Sequence, residues 1–140
     1  MSMFPPKLPF GLINVGLTSP ISLVKKIQKG SHVGYGRQYT AKENEMMLII
    51  QAGYADGIPI AFSNKGKIEI NNILYSIMGK VSMDLIAVHD HLGEVQEGQD
   101  AIFWGSKSLR LEVLSKKYDK IPYEFLTGVS KRVERIYIDE

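Results

Sequence analysis

Three tyrosines are placed where a side chain is presented rather than packed. Tyr35 lies between Gly34 and Gly36, Tyr54 follows Gly53 and precedes Gly57, and Tyr123 follows Pro122. Glycine and proline break regular structure, so these phenols sit at bends or loop edges. A phenol donates a hydrogen bond when protonated and acts as a base when not. Its ordinary pKa is near 10, so a base working near neutrality needs a lowering of about 3 units, or roughly 4 kcal/mol. Nearby cations can supply that lowering. On strand geometry Tyr35, Arg37 and Tyr39 share a face, which makes Arg37 one candidate cation. The competing reading is that such tyrosines are half-buried barrel residues with their hydroxyls in water.

Other residue patterns carry less. His89-Asp90-His91 could aim two imidazoles to one side of a strand, but no third metal ligand is near, and a solvated turn is the expectation. Asp56 and Asp84 both lie beside loops, where a carboxylate pair or two turn caps are equally consistent. Ser22-Leu23-Val24-Lys25 matches S-x-x-K without companion motifs. Gly34-x-Gly36 neither precedes a helix nor sits in a βαβ unit, so it does not read as a dinucleotide site. Lys25-Lys26-x-x-Lys29 reads as a solvated strand edge.

The elements that must position these residues are mostly strands. Ile21 onward, 33–40, a doubly buried 45–52, 82–88, 99–104 and 133–138 are predicted strands. Lys67–Ile70 and Ile73–Ile77 flank Asn71-Asn72 and predict a tight hairpin, because asparagine tolerates positive φ. Residues 53–59 read as a loop. Ser108 is the expected cap of one helix, with Glu112 early and Lys116-Lys117 late. A shorter helical turn is predicted at 123–128. Pro5, Pro6, Pro9 and Pro20 predict an irregular lead-in over residues 1–20, with the barrel domain over 21–140. About eight short strands with one or two helices predict an all-β, mainly antiparallel fold, a barrel or sandwich.

Composition narrows the function classes. The 140 residues have no cysteine and a net charge of +2, which excludes a disulfide scaffold, an Fe–S cluster and any cysteine nucleophile. Seventeen basic and fifteen acidic residues give no general case for nucleic acid. The longest aliphatic run, 46–50, is far below the roughly 20 residues of a bilayer span. A cytoplasmic protein without a membrane partner is the expectation.

Four stretches, taken together, resemble the C-terminal domain of alanine racemase, a fold-type III enzyme of pyridoxal 5'-phosphate (PLP). They are Val33-Gly34-Tyr35-Gly36-Arg37-Gln38-Tyr39-Thr40-Ala41, Gly53-Tyr54-Ala55-Asp56-Gly57, Gly79-Lys80-Val81-Ser82-Met83-Asp84, and Ile121-Pro122-Tyr123-Glu124 followed by Ser130-Lys131-Arg132-Val133-x-Arg135-Ile136-Tyr137. Their order and spacing also match. The resemblance implies a closed Greek-key β-barrel that follows an N-terminal barrel holding the cofactor. It implies that Tyr35 is the catalytic tyrosine, moving the α-proton on one face of the substrate and acting in trans on a partner's barrel within a homodimer. A barrel lysine serves the other face. Tyr54 narrows access to the substrate, the Met83 backbone N–H binds its carboxylate, Asp84 supports that loop, and Tyr123 donates to the PLP phosphate. No metal is implied. The product would be D-alanine, a peptidoglycan precursor.

The chain departs from the family pattern in instructive places. It has no Val-x-Lys-Ala-Asn-Ala-Tyr-Gly segment, which in the family supplies the cofactor lysine. Lys80 and Ile60 stand where arginines are frequent, which leaves the approach less positive, and relatives lack an arginine at position 37. The expectation is therefore half of an alanine racemase, inactive alone and without covalently held PLP, whether a natural fragment, a truncated frame or a piece prepared for crystallisation. The competing readings are a stand-alone β-barrel interaction or regulatory module, and a domain of a related PLP amino-acid racemase or decarboxylase.

Overall fold

The computed structural model describes residues 2–4, 15–33 and 39–136. Among the described residues it is all-β apart from two short helices and two 3₁₀ turns, with mainly antiparallel pairing, as expected. The strands are β1 (Ser2–Phe4), β2 (Gly16–Pro20), β3 (Leu23–Ile27), β4 (His32–Val33), β5 (Tyr39–Thr40), β6 (Glu45–Ile50), β7 (Lys67–Ile70), β8 (Ile73–Met78), β9 (Ile86–His89), β10 (Asp100–Trp104) and β11 (Glu134–Arg135). Nine of them form one sheet in the order β11-β1-β2-β10-β7-β8-β9-β6-β3, and β4 pairs with β5 separately.

The sheet curls into a barrel-like form. β2 and β3 end the run β2-β10-β7-β8-β9-β6-β3 and are also consecutive in the chain. Their junction bonds to both sides of the curl. Ile21 N–H donates to the Gln99 carbonyl at 2.8 Å, Gly98 N–H to the Ile21 carbonyl at 2.9 Å, and Ser22 N–H to the Ile49 carbonyl at 2.9 Å. Among the described residues the ring is completed by this junction rather than by a β2–β3 ladder.

The β7–β8 hairpin follows directly from its residues. Asn71 and Asn72 have φ of 51° and 66°, the left-handed pair that a two-residue turn of matching twist requires. Ile70 then pairs with Ile73. In β6, Leu48 and Ile50 enter the main core with Ile68, Ile77, Phe103 and Trp104, while Met47 joins a second cluster with Ile27, Val33 and Met78. The strand is thus buried on both faces, which is why its sequence is apolar without clean alternation.

Three expectations are corrected. The lead-in is not irregular throughout: Gly16–Pro20 is a strand between β1 and β10, with Leu17 fully buried. Pro20 closes that strand, a position where its missing N–H is tolerated. The strand expected at 82–88 begins only at Ile86, because Ser82 N–H bonds to the Leu85 carbonyl across a bend. Helix α1 spans Leu111–Lys117 with Arg110 at its N-cap. Ser108 does not cap it. Instead the Ser106 hydroxyl accepts from Leu109 N–H at 3.1 Å and holds a turn that delays the helix. Glu112 and Lys116-Lys117 do take the expected ends.

Helix α2 covers Pro122–Thr127, with Pro122 in the first turn and the Glu124 carboxylate accepting from Ile121 N–H. Phe125 fastens it to the core through edge contact with Trp104 at 5.5 Å between ring centres. β11 runs parallel to β1. The remainder of the expected final strand, 137–138, lies outside the described residues.

Candidate functional site

Three loops distant in sequence interlock at one end of the sheet. The first, 53–58, contains a 3₁₀ turn over Tyr54–Asp56. It lies on the second, 82–85, so closely that a Cβ at Gly53 would stand 2.1 Å from the Ser82 carbonyl oxygen. Only glycine permits that approach. Tyr54 N–H donates to the Ser82 carbonyl at 3.0 Å and Ala55 N–H to the Met83 carbonyl at 3.1 Å. The third loop, 128–133, meets the first where Ser130 N–H donates to the Asp56 carbonyl at 3.2 Å.

Arg132 ties the three together. Its Nε and an Nη donate to the two carboxylate oxygens of buried Asp56 at 2.5 and 3.0 Å, and the same Nη reaches Asp84 at 2.8 Å. The Asp56 carboxylate also accepts from Gly53 N–H at 2.9 Å. These hydrogen bonds, first to Asp56 and then to Asp84, push the guanidinium well above its ordinary range. Asp56 and Asp84 are therefore the two ends of one arginine clamp. Asp56 is also a turn cap, as one of the readings held.

The clamp leaves specific groups outward. With both carbonyls of Ser82 and Met83 engaged, the Met83 and Asp84 N–H groups have no acceptor among the described residues. Successive free amides in a loop form a concavity suited to an anion. Met83 is 54% exposed and Tyr54 47%. Tyr123, in the first turn of α2, is 65% exposed, and its hydroxyl has no partner among the described residues. Its neighbours Glu124 and Phe125 line a crevice of about 230 Å3 with Tyr54.

Tyr35, with Gly34, Gly36, Arg37 and Gln38, lies outside the described residues. The strands leading to and from that segment, β4 and β5, pair Val33 with Tyr39. His32 and Val33 also line a cavity of about 620 Å3, with Met47 and Met78 among its apolar walls and Lys25, Lys26 and Lys80 among its basic ones. Tyr39 is a different kind of phenol. Burial first, and then the hydrogen bond it donates to Glu45, push its pKa up to about 12, so it stays protonated.

Other candidates resolve into local structure. Asp90 is buried and accepts from Gly93 and Val95 N–H groups at 2.9 and 3.0 Å, capping a turn, while His91 packs on Tyr75. Lys25 and Lys26 lie exposed on β3, the edge of the sheet. Among the described residues no helix is long and apolar enough to cross a membrane. Arg132 was missing from the expected site residues. Its signal was its place in the Ser130–Tyr137 stretch, downstream of two loop carboxylates, Asp56 and Asp84, that had no cationic partner assigned.

A barrel-like all-β domain with such a loop cluster matches known proteins over most of its length. The family model for "Alanine racemase, C-terminal domain" matches residues 14–137, and the chain belongs to that family. It is 40% identical over 131 residues to the alanine racemase of Vesicomyosocius okutanii, covering 89% of this chain and 37% of that protein. It is 35% identical over 127 residues to the alanine racemase of Helicobacter pylori strain J99, covering 89% and 34%. Among solved structures, the alanine racemase of Bartonella henselae with covalently bound pyridoxal phosphate superimposes with a TM-score of 0.84 at 33% identity, over 90% of this chain and 35% of that one. The chain spans about a third of the length of these relatives.

Proposed function

We propose that this chain is the C-terminal part of a PLP-dependent alanine racemase, an isomerase interconverting L- and D-alanine, working with an N-terminal barrel and as a homodimer in the cytoplasm. The observation that carries this is the loop cluster that turns the free Met83 amide and the Tyr54 phenol out together. An exposed backbone N–H binds a carboxylate without a charged side chain. Tyr54 beside it restricts what reaches that amide.

Tyr123 fits the cofactor's phosphate by its chemistry: an exposed hydroxyl with a free donor, held on a helix that Phe125 anchors in the core. It would donate to one phosphate oxygen. When bound, PLP supplies the electron sink that makes the α-proton removable. Tyr35 would take or return that proton at its hydroxyl on one face of the substrate. Asp84, through Arg132, keeps the Met83 loop in place. The 140 residues hold no Val-x-Lys-Ala-Asn-Ala-Tyr-Gly segment, so the chain alone is expected to carry no covalent PLP and no activity.

The test is D-alanine formation from L-alanine with PLP, first with the chain alone and then with a separately made racemase barrel domain. Activity in the mixture only supports the reading. Association of the two without activity contradicts it. So does borohydride reduction of the chain alone with PLP that leaves a stoichiometric pyridoxyl-lysine at one site.

A further inference from the structure

We propose that Arg132 is a positioning residue for substrate binding: by clamping Asp56 and Asp84 together it orients the free Met83 backbone N–H toward an amino-acid carboxylate. This rests on the function proposed above and deepens it, since it names the group that sets the carboxylate site.

Met83 has little of its own to hold it. Its side chain is mostly exposed, and its N–H has no acceptor among the described residues. Its carbonyl is held by Ala55 N–H, and the next residue, Asp84, is fixed by Arg132. The orientation of the intervening amide therefore depends on two anchors. One is the 53–56 turn and the other is the guanidinium. Arg132 controls both, because the turn's own cap, Asp56, is its second partner.

The arginine is itself held rigidly. The next residue, Val133, is buried in the core. Arg135 donates to the carbonyls of Ser130 and Val133 at 2.6 and 2.7 Å and to that of Val129 at 3.2 Å, which fixes the segment that carries Arg132. A planar guanidinium can bind one carboxylate through two nitrogens while one of them reaches another. A lysine ammonium is a point charge on a flexible stem and cannot reproduce that fork. Arg132 also offsets negative charge beside an amide meant to receive an anion. Without it, Asp84 would oppose the substrate carboxylate.

The test compares Arg132→Lys and Arg132→Gln in the chain mixed with the racemase barrel domain, with amide hydrogen exchange on the chain alone as a second readout. The expected result is a rise in KM for alanine of about tenfold with kcat changed by less than about twofold, as for lost binding rather than lost chemistry. Exchange at the Tyr54 and Ala55 amides should speed up by at least about tenfold while that at Ile77, in β8, holds. Lysine should restore less than half of the KM effect. A merely structural role would lower the active fraction, so kcat would fall with KM unchanged, and that result overturns the proposal. Unchanged exchange at Tyr54 and Ala55 overturns it too. If the unaltered chain and barrel domain associate but do not racemise alanine, the proposed function falls and the substrate assignment of Arg132 falls with it. The exchange readout then still decides whether Arg132 holds the loop.

Discussion

The curled sheet and the loop cluster at its end are built on different physical terms. The sheet side is held by burial. Trp104, Phe103, Leu48 and Ile68 are fully buried, and Trp104, Phe125, Phe62 and Tyr118 form a chain of ring contacts at 4.7 to 6.3 Å that joins the helices to the strands. The loop cluster sends Ile58, Val129 and Val133 into the same core, but its outward part rests on polar contacts. That part is held by backbone bonds between loops, by the close approaches of Gly53 to the 82–85 loop and of Gly57 to Gly128 and Val129, and by one arginine, and it leaves Tyr54, Met83 and Tyr123 exposed. Burial is additive and tolerant of local change, whereas the cluster depends on a few directional contacts. A stable face that presents large side chains on polar supports is suited to engage something outside this chain.

Perturbing each region should separate the two kinds of support. The largest effect belongs to the sheet side. Trp104→Ala should lower the unfolding free energy by about 4 kcal/mol, measured by chemical denaturation, because it empties a large core volume. In the cluster, Gly53→Ala should cost about 3 kcal/mol, since the added carbon collides with backbone that cannot move aside. Gly30→Ala is the contrast. Its φ is +88° but nothing lies within 4 Å of the added carbon, so it should cost about 1 kcal/mol. Equal losses at the two glycines would deny the close approach of the loops.

A third perturbation uses pH. Tyr39 is raised in the folded chain to about 12 from an ordinary 10.0, by burial and then by Glu45. The folded state therefore holds this proton more tightly than the unfolded state. Its contribution to stability is complete below pH 10 and is lost as pH rises toward 12. Denaturation midpoints should fall across that window, and Tyr39→Phe should flatten the fall in part, because burial also raises Tyr75 and Tyr118. The smallest effect is expected at the exposed face. Met83→Ala and Tyr123→Phe should each change stability by less than about 0.5 kcal/mol. A larger loss would mean that these side chains serve the fold.

The same division governs what could be read from the sequence. The β7–β8 hairpin was legible because Asn71-Asn72 and its flanking isoleucines act within a few residues of each other. The doubly buried β6 was legible from its unbroken apolar run. The bend at 82–85 was not, because the carbonyls that would extend a strand are taken by amides about thirty positions upstream. β2 was hidden by the prolines around it, although Pro20 sits where a strand can end. The motifs drew attention to Tyr54, Met83, Asp84 and Tyr123, which lie on the loop cluster and the first turn of α2, and to Tyr35, which lies outside the described residues. They did not disclose Arg132, whose partners lie 76 and 48 residues away in sequence. Contacts of that range become visible only once the chain is folded.

The central claim is that this chain supplies one of two opposed proton-transfer groups to a racemase. The most direct measurement is α-deuterium incorporation into each alanine enantiomer in D2O, using the chain mixed with a racemase barrel domain and PLP, with Tyr35→Phe as the comparison. The account predicts that the variant stops racemising and loses incorporation from one enantiomer while keeping it from the other, because the second face is served by the barrel. Incorporation retained from both enantiomers, or lost equally from both, would contradict it.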